Sequence, residues 1–201
     1  MEVKILEEAG YSWALCGASL SFKDESIPFE DWWTQERFEN MEKTSKGLAF
    51  KDGGHNKFLE SMQVWIYIKA PRGFWQEYDT YRSGVTKNSA STMHTIQRRP
   101  VTLADFEPNT DGRMVNIFND ILIEATDNFS STKMLKGDAL EKVKWSLPEG
   151  FLQSRIVNTN YKTIRNMVLQ RRSHRLSQWQ LFIDEFRNQC NYPDILPSKL
   201  V

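Results

Sequence analysis

Between Val64 and Lys69 the side chains alternate, with Val64, Ile66 and Ile68 on one face and Trp65, Tyr67 and Lys69 on the other. A period of two predicts a strand with one buried face and one partly covered face. Ala70-Pro71 marks its end. Proline costs no hydrogen bond in the first turn of a helix, and Phe74, Tyr78 and Tyr81 then recur at helical spacing. A helix is therefore predicted from Pro71 to about Arg82, with Glu77 and Tyr81 four apart on a shared face. From Ser83 to Ser91 the residues are small and polar with no apolar period. This reads as a loop whose amides and hydroxyls can approach a ligand.

The second half is mainly helical in pattern. Asp111-Gly112 signals a turn, and Met114, Phe118, Ile121, Leu122 and Ala125 then mark an amphipathic helix. Leu135, Ala139, Leu140 and Val143 suggest another, ended by Pro148-Glu149-Gly150. Phe151 to Val157 reads as a strand. Ile164, Met167 and Val168 open a helical stripe that Trp179, Phe182, Ile183 and Phe186 continue. Between the two pieces lies the cationic run Arg171-Arg172-Ser173-His174-Arg175, and Ser177 is the expected cap of the second piece.

Composition narrows the picture. The chain has 201 residues, 40% of them hydrophobic, which suits one domain with one sizeable core. Its 26 basic and 26 acidic residues cancel, so no broad electrostatic footprint for a nucleic-acid polymer exists, although a local anion site is compatible with it. Residues Met1 to Glu8 contain no apolar signal core, and no stretch approaches the ~20 apolar residues of a membrane span. A soluble, cytoplasmic protein without a membrane partner is expected. Cys16 and Cys190 are too few for a disulfide framework and lack His partners at metal-site spacing, so both are read as reduced, packed thiols and no metal is expected.

Several polar residues carry candidate chemistry. Arg171, Arg172 and Arg175, with Lys144 four residues before Pro148, can supply charged donors to a phosphate monoester, the alternative being a solvated helical face. His55, after Gly53-Gly54, can stack on or hydrogen-bond a cofactor, or be a surface histidine. His94 and His174 are read as structural, and Glu60 equally as an ion-pair partner. Ser91 has no base beside it in sequence, so hydrogen bonding is more economical than nucleophilic attack. Asn160 and Asn166 can offer paired donors and acceptors to the edge of a heterocycle.

The order of these elements resembles the flavin-dependent thymidylate synthases. The first matching segment runs from Gly54-His55-Asn56-Lys57-Phe58-Leu59-Glu60 through Met62 to Lys69 and Ala70-Pro71 to Tyr81-Arg82, with eight residues between Arg82 and Ser91. The second has Leu147-Pro148, Asn160, Asn166, Arg171 or Arg172, and Ser177-Gln178-Trp179-Gln180. A weaker echo is Gly17-Ala18-Ser19-Leu20-Ser21-Phe22. Together they cover roughly residues 14 to 186.

The resemblance implies one α/β domain over residues 1–201, with a central mixed sheet packed by helices. It implies FAD as cofactor, methylene-tetrahydrofolate and NADPH as co-substrates, and a homotetramer with sites shared between subunits. Glu77, Ser91, Lys144, Arg171 and Arg172 would meet the pyrimidine nucleotide, with Ser91 and Arg172 as the catalytic pair. Ser21, His55, Tyr81, Arg82, Asn88, Asn160 and Asn166 would meet the flavin. The implied reaction is reductive methylation of dUMP to dTMP. Alternatives on the same scaffold are another pyrimidine-nucleotide modification, such as the hydroxymethylation phages use to modify DNA, or nucleotide binding without catalysis.

Departures from the pattern are specific. Thr80-Tyr81-Arg82 stands where the family has Arg-His-Arg, and Met93 stands where it has a further Arg. Each lost charged hydrogen bond is worth about 1.5 to 3 kcal/mol. Tyr81 can stack on a ring but carries no positive charge. Glu77 replaces a Gln and so offers only an acceptor at neutral pH, which favours a base presenting donors.

Overall fold

The alternating central run is a strand in the computed structural model, which describes residues 1–129 and 134–198. In chain order the elements are β1 (Glu2–Ala9), α1 (Tyr11–Ser19), the short α2 (Phe29–Trp32), α3 (Gln35–Leu48), β2 (Gln63–Pro71), α4 (Arg72–Tyr78), β3 (Thr86–Ser89), the short α5 (Thr92–Thr95), α6 (Gly112–Thr126), α7 (Gly137–Ser146), β4 (Leu152–Asn160), α8 (Tyr161–Arg171) and α9 (Ser177–Gln189). The class is α/β as the sequence implies, with one sheet of four strands in the order β1-β2-β4-β3 packed by helices. The strands run antiparallel, which corrects the expected mixed sheet. Parallel strands covered on both faces read as near-continuous apolar runs. Here β1 carries Glu2, Lys4 and Glu7, and β3 is Thr-Lys-Asn-Ser.

The described chain divides into two compact units. The first comprises residues 1–2, 68–80 and 88–156. Its core gathers Phe106, Val115, Phe118, Leu122, Val143 and Leu147. Within it α6 starts at Asp111, whose carboxylate accepts from the Arg113 amide at 2.9 Å, and stops where Asp127 turns left-handed at φ 49°. The buried stripe of α6 is Val115, Phe118, Leu122 and Thr126, so Met114, predicted for the core, is 45% exposed one position off that stripe. Helix α4 buries Phe74, Trp75 and Tyr78 and ends four residues earlier than predicted. Its last carbonyls are satisfied locally: the Asp79 amide donates to Trp75 at 2.8 Å and the Thr80 hydroxyl to Glu77 at 2.7 Å. Arg155 then holds Asp79 through two contacts of 3.0 and 3.2 Å.

The second unit comprises Val3–Tyr67, Tyr81–Lys87 and the chain from Val157 onward. Its helices α8 and α9 bury Ile164, Met167, Val168, Trp179, Phe182 and Phe186, the stripe read from the sequence. Asn160 caps α8, its side-chain oxygen accepting from the Thr163 amide at 2.9 Å. At α9 the cap position is Leu176 without a side-chain bond, and Ser177 is the first helical residue, which corrects its expected capping role. Instead the Leu176 amide donates to His174 Nδ1 at 3.2 Å. The Tyr161 hydroxyl donates to Glu8, whose other oxygen accepts from the Asn191 amide at 2.9 Å. Burial and that carboxylate both raise the Tyr161 pKa. Cys16 and Cys190 are free and only 3% and 8% exposed, and burial pushes both thiols up from their ordinary value.

Candidate functional site

The second unit brings Tyr81 and Arg171 together across ninety positions of sequence. Arg171 Nε donates to the Tyr81 hydroxyl at 3.0 Å, and that hydroxyl donates to Gln170 Oε1 at 3.0 Å. The Arg171 guanidinium carbon lies 4.8 Å from the Trp179 ring centre and 5.7 Å from that of Tyr81, and the two rings meet edge to face at 5.9 Å. Gln180 donates to the Arg171 carbonyl at 2.9 Å. Tyr81 thus fills this corner from within, where a histidine could have faced a ligand. Arg172 caps the end of α8 and its guanidinium makes no hydrogen bond or ion pair among the described residues. Of the two alternatives for the anion-binding arginine, Arg171 is the occupied one.

Ser21 and His55, predicted to meet a flavin, line one open cleft of about 710 Å³. It runs along the α1 face formed by Trp13, Ala14, Gly17 and Ala18, and its opposite wall includes Gly53, Gly54 and Phe58. The small residues recur at helical spacing, which leaves room beside the Trp13 ring. Both His55 and Ser21 are exposed, and the cleft volume falls within the range of small-molecule sites. Trp13 was not singled out by the sequence. Its signal is the stripe of 13, 14, 17, 18 and 21, one large aromatic followed by small residues.

Asn160 is 8% exposed and spends its oxygen on the α8 cap. Its amide nitrogen lies against Gly84, where an added Cβ would approach it to 2.4 Å, and Gly84 adopts φ +67°. Asn160 therefore has a structural task that the predicted flavin contact did not include. Asn166 is half-buried on α8, and Arg82 is exposed directly after Tyr81.

The first unit carries the other predicted residues. Lys144 on α7 donates to the hydroxyl of buried Thr92, and its pKa is lowered by burial and then by the nearby charge of Arg72. It gives up its proton at lower pH than an ordinary lysine. Arg72 itself donates to the Leu147 carbonyl at 2.8 Å and approaches Glu149 at 3.6 Å. Ser91 precedes Thr92, is half-buried, and its side chain makes no capping bond to α5. No base is hydrogen-bonded to its hydroxyl among the described residues, which agrees with a hydrogen-bonding rather than nucleophilic reading. Glu77 is half-buried on α4, Asn88 is exposed on β3, and Met93 is 47% exposed.

Among the described residues no group of three or more His, Cys, Asp or Glu is arranged to hold a metal ion, and no helix is long and apolar enough to cross a membrane. By sequence the chain matches no family model and no curated protein. By fold it is similar to the flavin-dependent thymidylate synthase ThyX of Helicobacter pylori complexed with FAD and dUMP, with a TM-score of 0.77 at 14% identity over 100% of both chains. A second structure of Helicobacter pylori ThyX, with FAD and dUMP, gives a TM-score of 0.71 at 15% identity, covering 99% of this chain and 95% of that one. At such identity the likeness is one of fold, and the four-stranded antiparallel sheet packed by helices is the ThyX fold along the whole chain.

Proposed function

We propose that the chain is a flavin-dependent enzyme of pyrimidine nucleotides, reductively methylating dUMP to dTMP with methylene-tetrahydrofolate as carbon donor. The observation that carries this reading is the 3.0 Å hydrogen bond from Arg171 to Tyr81, which joins the two segments resembling the thymidylate synthase signature. The likeness to two ThyX structures holding FAD and dUMP supports it. FAD, kept reduced by NADPH, would supply the hydride.

The residues fit such a cofactor. The Ser21–His55 cleft offers an imidazole, a hydroxyl and apolar walls to a planar ring, and Arg172 is a permanently charged donor with its guanidinium unpaired among the described residues. Tyr81 orients Arg171 rather than carrying charge, and Asn166 and Arg82 are the remaining flavin contacts on that unit. Arg172 takes the phosphate role. On the first unit, Lys144 and Ser91 are donors to the nucleotide, Glu77 is an acceptor for its base, and Asn88 is a flavin contact. Assembly as a homotetramer belongs to the same reading.

The test is the absorbance spectrum of the purified chain before and after incubation with FAD, followed by assay for dTMP from dUMP. A flavin band and turnover are expected. A colourless protein that ignores added FAD would overturn the assignment. Glu77 and the uncharged Tyr81 favour one second reading, a related enzyme acting on another pyrimidine nucleotide, such as a hydroxymethylase. A thermal-shift panel in which dUMP is the only stabilising pyrimidine nucleotide excludes it.

A further inference from the structure

Three tryptophans of the chain satisfy their indole N–H internally: Trp32 donates to Ser19 at 3.2 Å, Trp33 to Ser12 at 3.3 Å and Trp75 to the Gln153 carbonyl at 2.9 Å. Trp13 does not. It is 65% exposed, and its indole nitrogen has no hydrogen-bond partner among the described residues. Nor is its exposure scattered on an otherwise polar surface, since it lines the 710 Å³ cleft together with Phe22, which is 80% exposed. Two large aromatic faces left to water in one concave site have no folding role to explain them. They are the arrangement that takes up a flat ligand, because a π-face covers a planar ring with little loss of side-chain freedom.

The rest of the cleft narrows the ligand class. Gly17, Gly53 and Gly54 leave open space, with nothing within 4 Å of a Cβ built on any of them. Glu60 at the rim is engaged by Lys162 at 3.4 Å, whereas Lys57, also lining the cleft, has no ion-pair partner among the described residues. An unpaired cation beside two stacking faces matches a planar heterocycle that carries phosphate.

We infer that Trp13 is the stacking residue for the ring system of a phosphorylated flavin in this cleft, with Phe22 as a second apolar face and Lys57 as the contact to its phosphate. The inference rests on the flavin reading above and adds roles for Trp13, Phe22 and Lys57 that the resemblance to thymidylate synthases did not imply. The small stripe of α1 keeps the space beside the indole free, so the ring is positioned by Trp13 and its edge is left to Ser21 and His55.

Equilibrium titration of the full chain with FAD, FMN and riboflavin, read by flavin fluorescence, tests it. Trp13→Ala is expected to raise the Kd for all three flavins about tenfold, and Trp13→Phe, which keeps a stacking face, by no more than about threefold. Lys57→Ala is expected to weaken FAD and FMN and leave riboflavin unchanged. The apo thermal midpoint should be the same in all variants, because both side chains stand in solvent. Wild-type binding that Trp13→Ala leaves intact would overturn the stacking role while the flavin reading stands. A wild-type chain that binds none of the three flavins would remove both.

Discussion

The Ser21–His55 cleft and the Tyr81–Arg171 corner both lie in the second unit, and the resemblance gives Ser21, His55 and Tyr81 to the flavin and Arg171 to the nucleotide, yet the two regions are built in opposite ways. The corner is closed by its own side chains: Arg171, Tyr81, Gln170 and Trp179 satisfy one another. The cleft leaves Trp13 and Phe22 facing solvent around about 710 Å³ of space. Interaction energy made within the corner contributes to folding and is not available to a ligand. Energy withheld in the cleft is available on binding. Tyr81 is thereby committed to packing within the corner, whereas Trp13 and Phe22 keep their faces exposed.

The sharpest way to break this contrast is to remove Trp179, which is fully buried in the corner. Trp179→Ala should cost about 3 to 5 kcal/mol of stability by denaturant unfolding, the range for a buried large aromatic. If it unfolds no more easily than Trp13→Ala, the corner is not tightly packed. Next in size is Arg172→Ala, expected to weaken dUMP binding by about 1.5 to 3 kcal/mol, the value of a charged hydrogen bond, with an unchanged thermal midpoint. Calorimetric titration decides it, and equal affinity would return the phosphate role to Arg171.

Tyr81→Phe keeps the edge contact to Trp179 and deletes only the hydroxyl between Arg171 and Gln170. A loss of about 1 kcal/mol in stability is expected, since a half-buried guanidinium loses an acceptor. A neutral effect would mean that water replaces the phenol and the corner is less closed than the cleft comparison requires.

An effect no larger lies outside both regions and calibrates them. Asp105 is held down to about 2 by its hydrogen bonds with Arg99 and, in part, the Thr102 amide, against the cost of partial burial. Because the folded pKa is below the unfolded one, this pair stabilises above about pH 4 and its contribution is lost as pH falls through about 2. Asp105→Asn should remove about 1 kcal/mol near neutrality, after allowance for the exposed Arg99, and flatten the acid limb of an unfolding titration.

Periodicity made much of this fold readable. Strand β2 and the stripes of α8 and α9 stand out because apolar residues repeat at two or at three to four. Helix α1 was not visible, since a face of Ala14, Gly17 and Ala18 carries little hydrophobic signal, and α3 is polar along most of its length. Strand β3 was read as loop because Thr-Lys-Asn-Ser has no apolar alternation, and an edge strand needs none. The end of α4 was misjudged because Tyr81 fits the spacing of Phe74 and Tyr78, while the local bonds of Asp79 and Thr80 decide where the helix stops. In the candidate site, the resemblance pointed to His55 and Ser21, and the two line one cleft. The resemblance already brought the stretch after β2 and the late arginines into one site, but the direct Arg171–Tyr81 hydrogen bond was not legible, because a single sequence does not specify an individual contact over ninety residues. Asn160 was read for a ligand contact, and its second task, capping α8, is one that an asparagine just before a helical stripe can signal.

The two cysteines also make the chain convenient to handle. Cys16 and Cys190 are sequestered, and their thiolate forms are disfavoured. A maleimide dye should thus ignore both and couple to a single cysteine placed at an exposed position such as Thr80. One label could report on ligand arrival with the native thiols left in place.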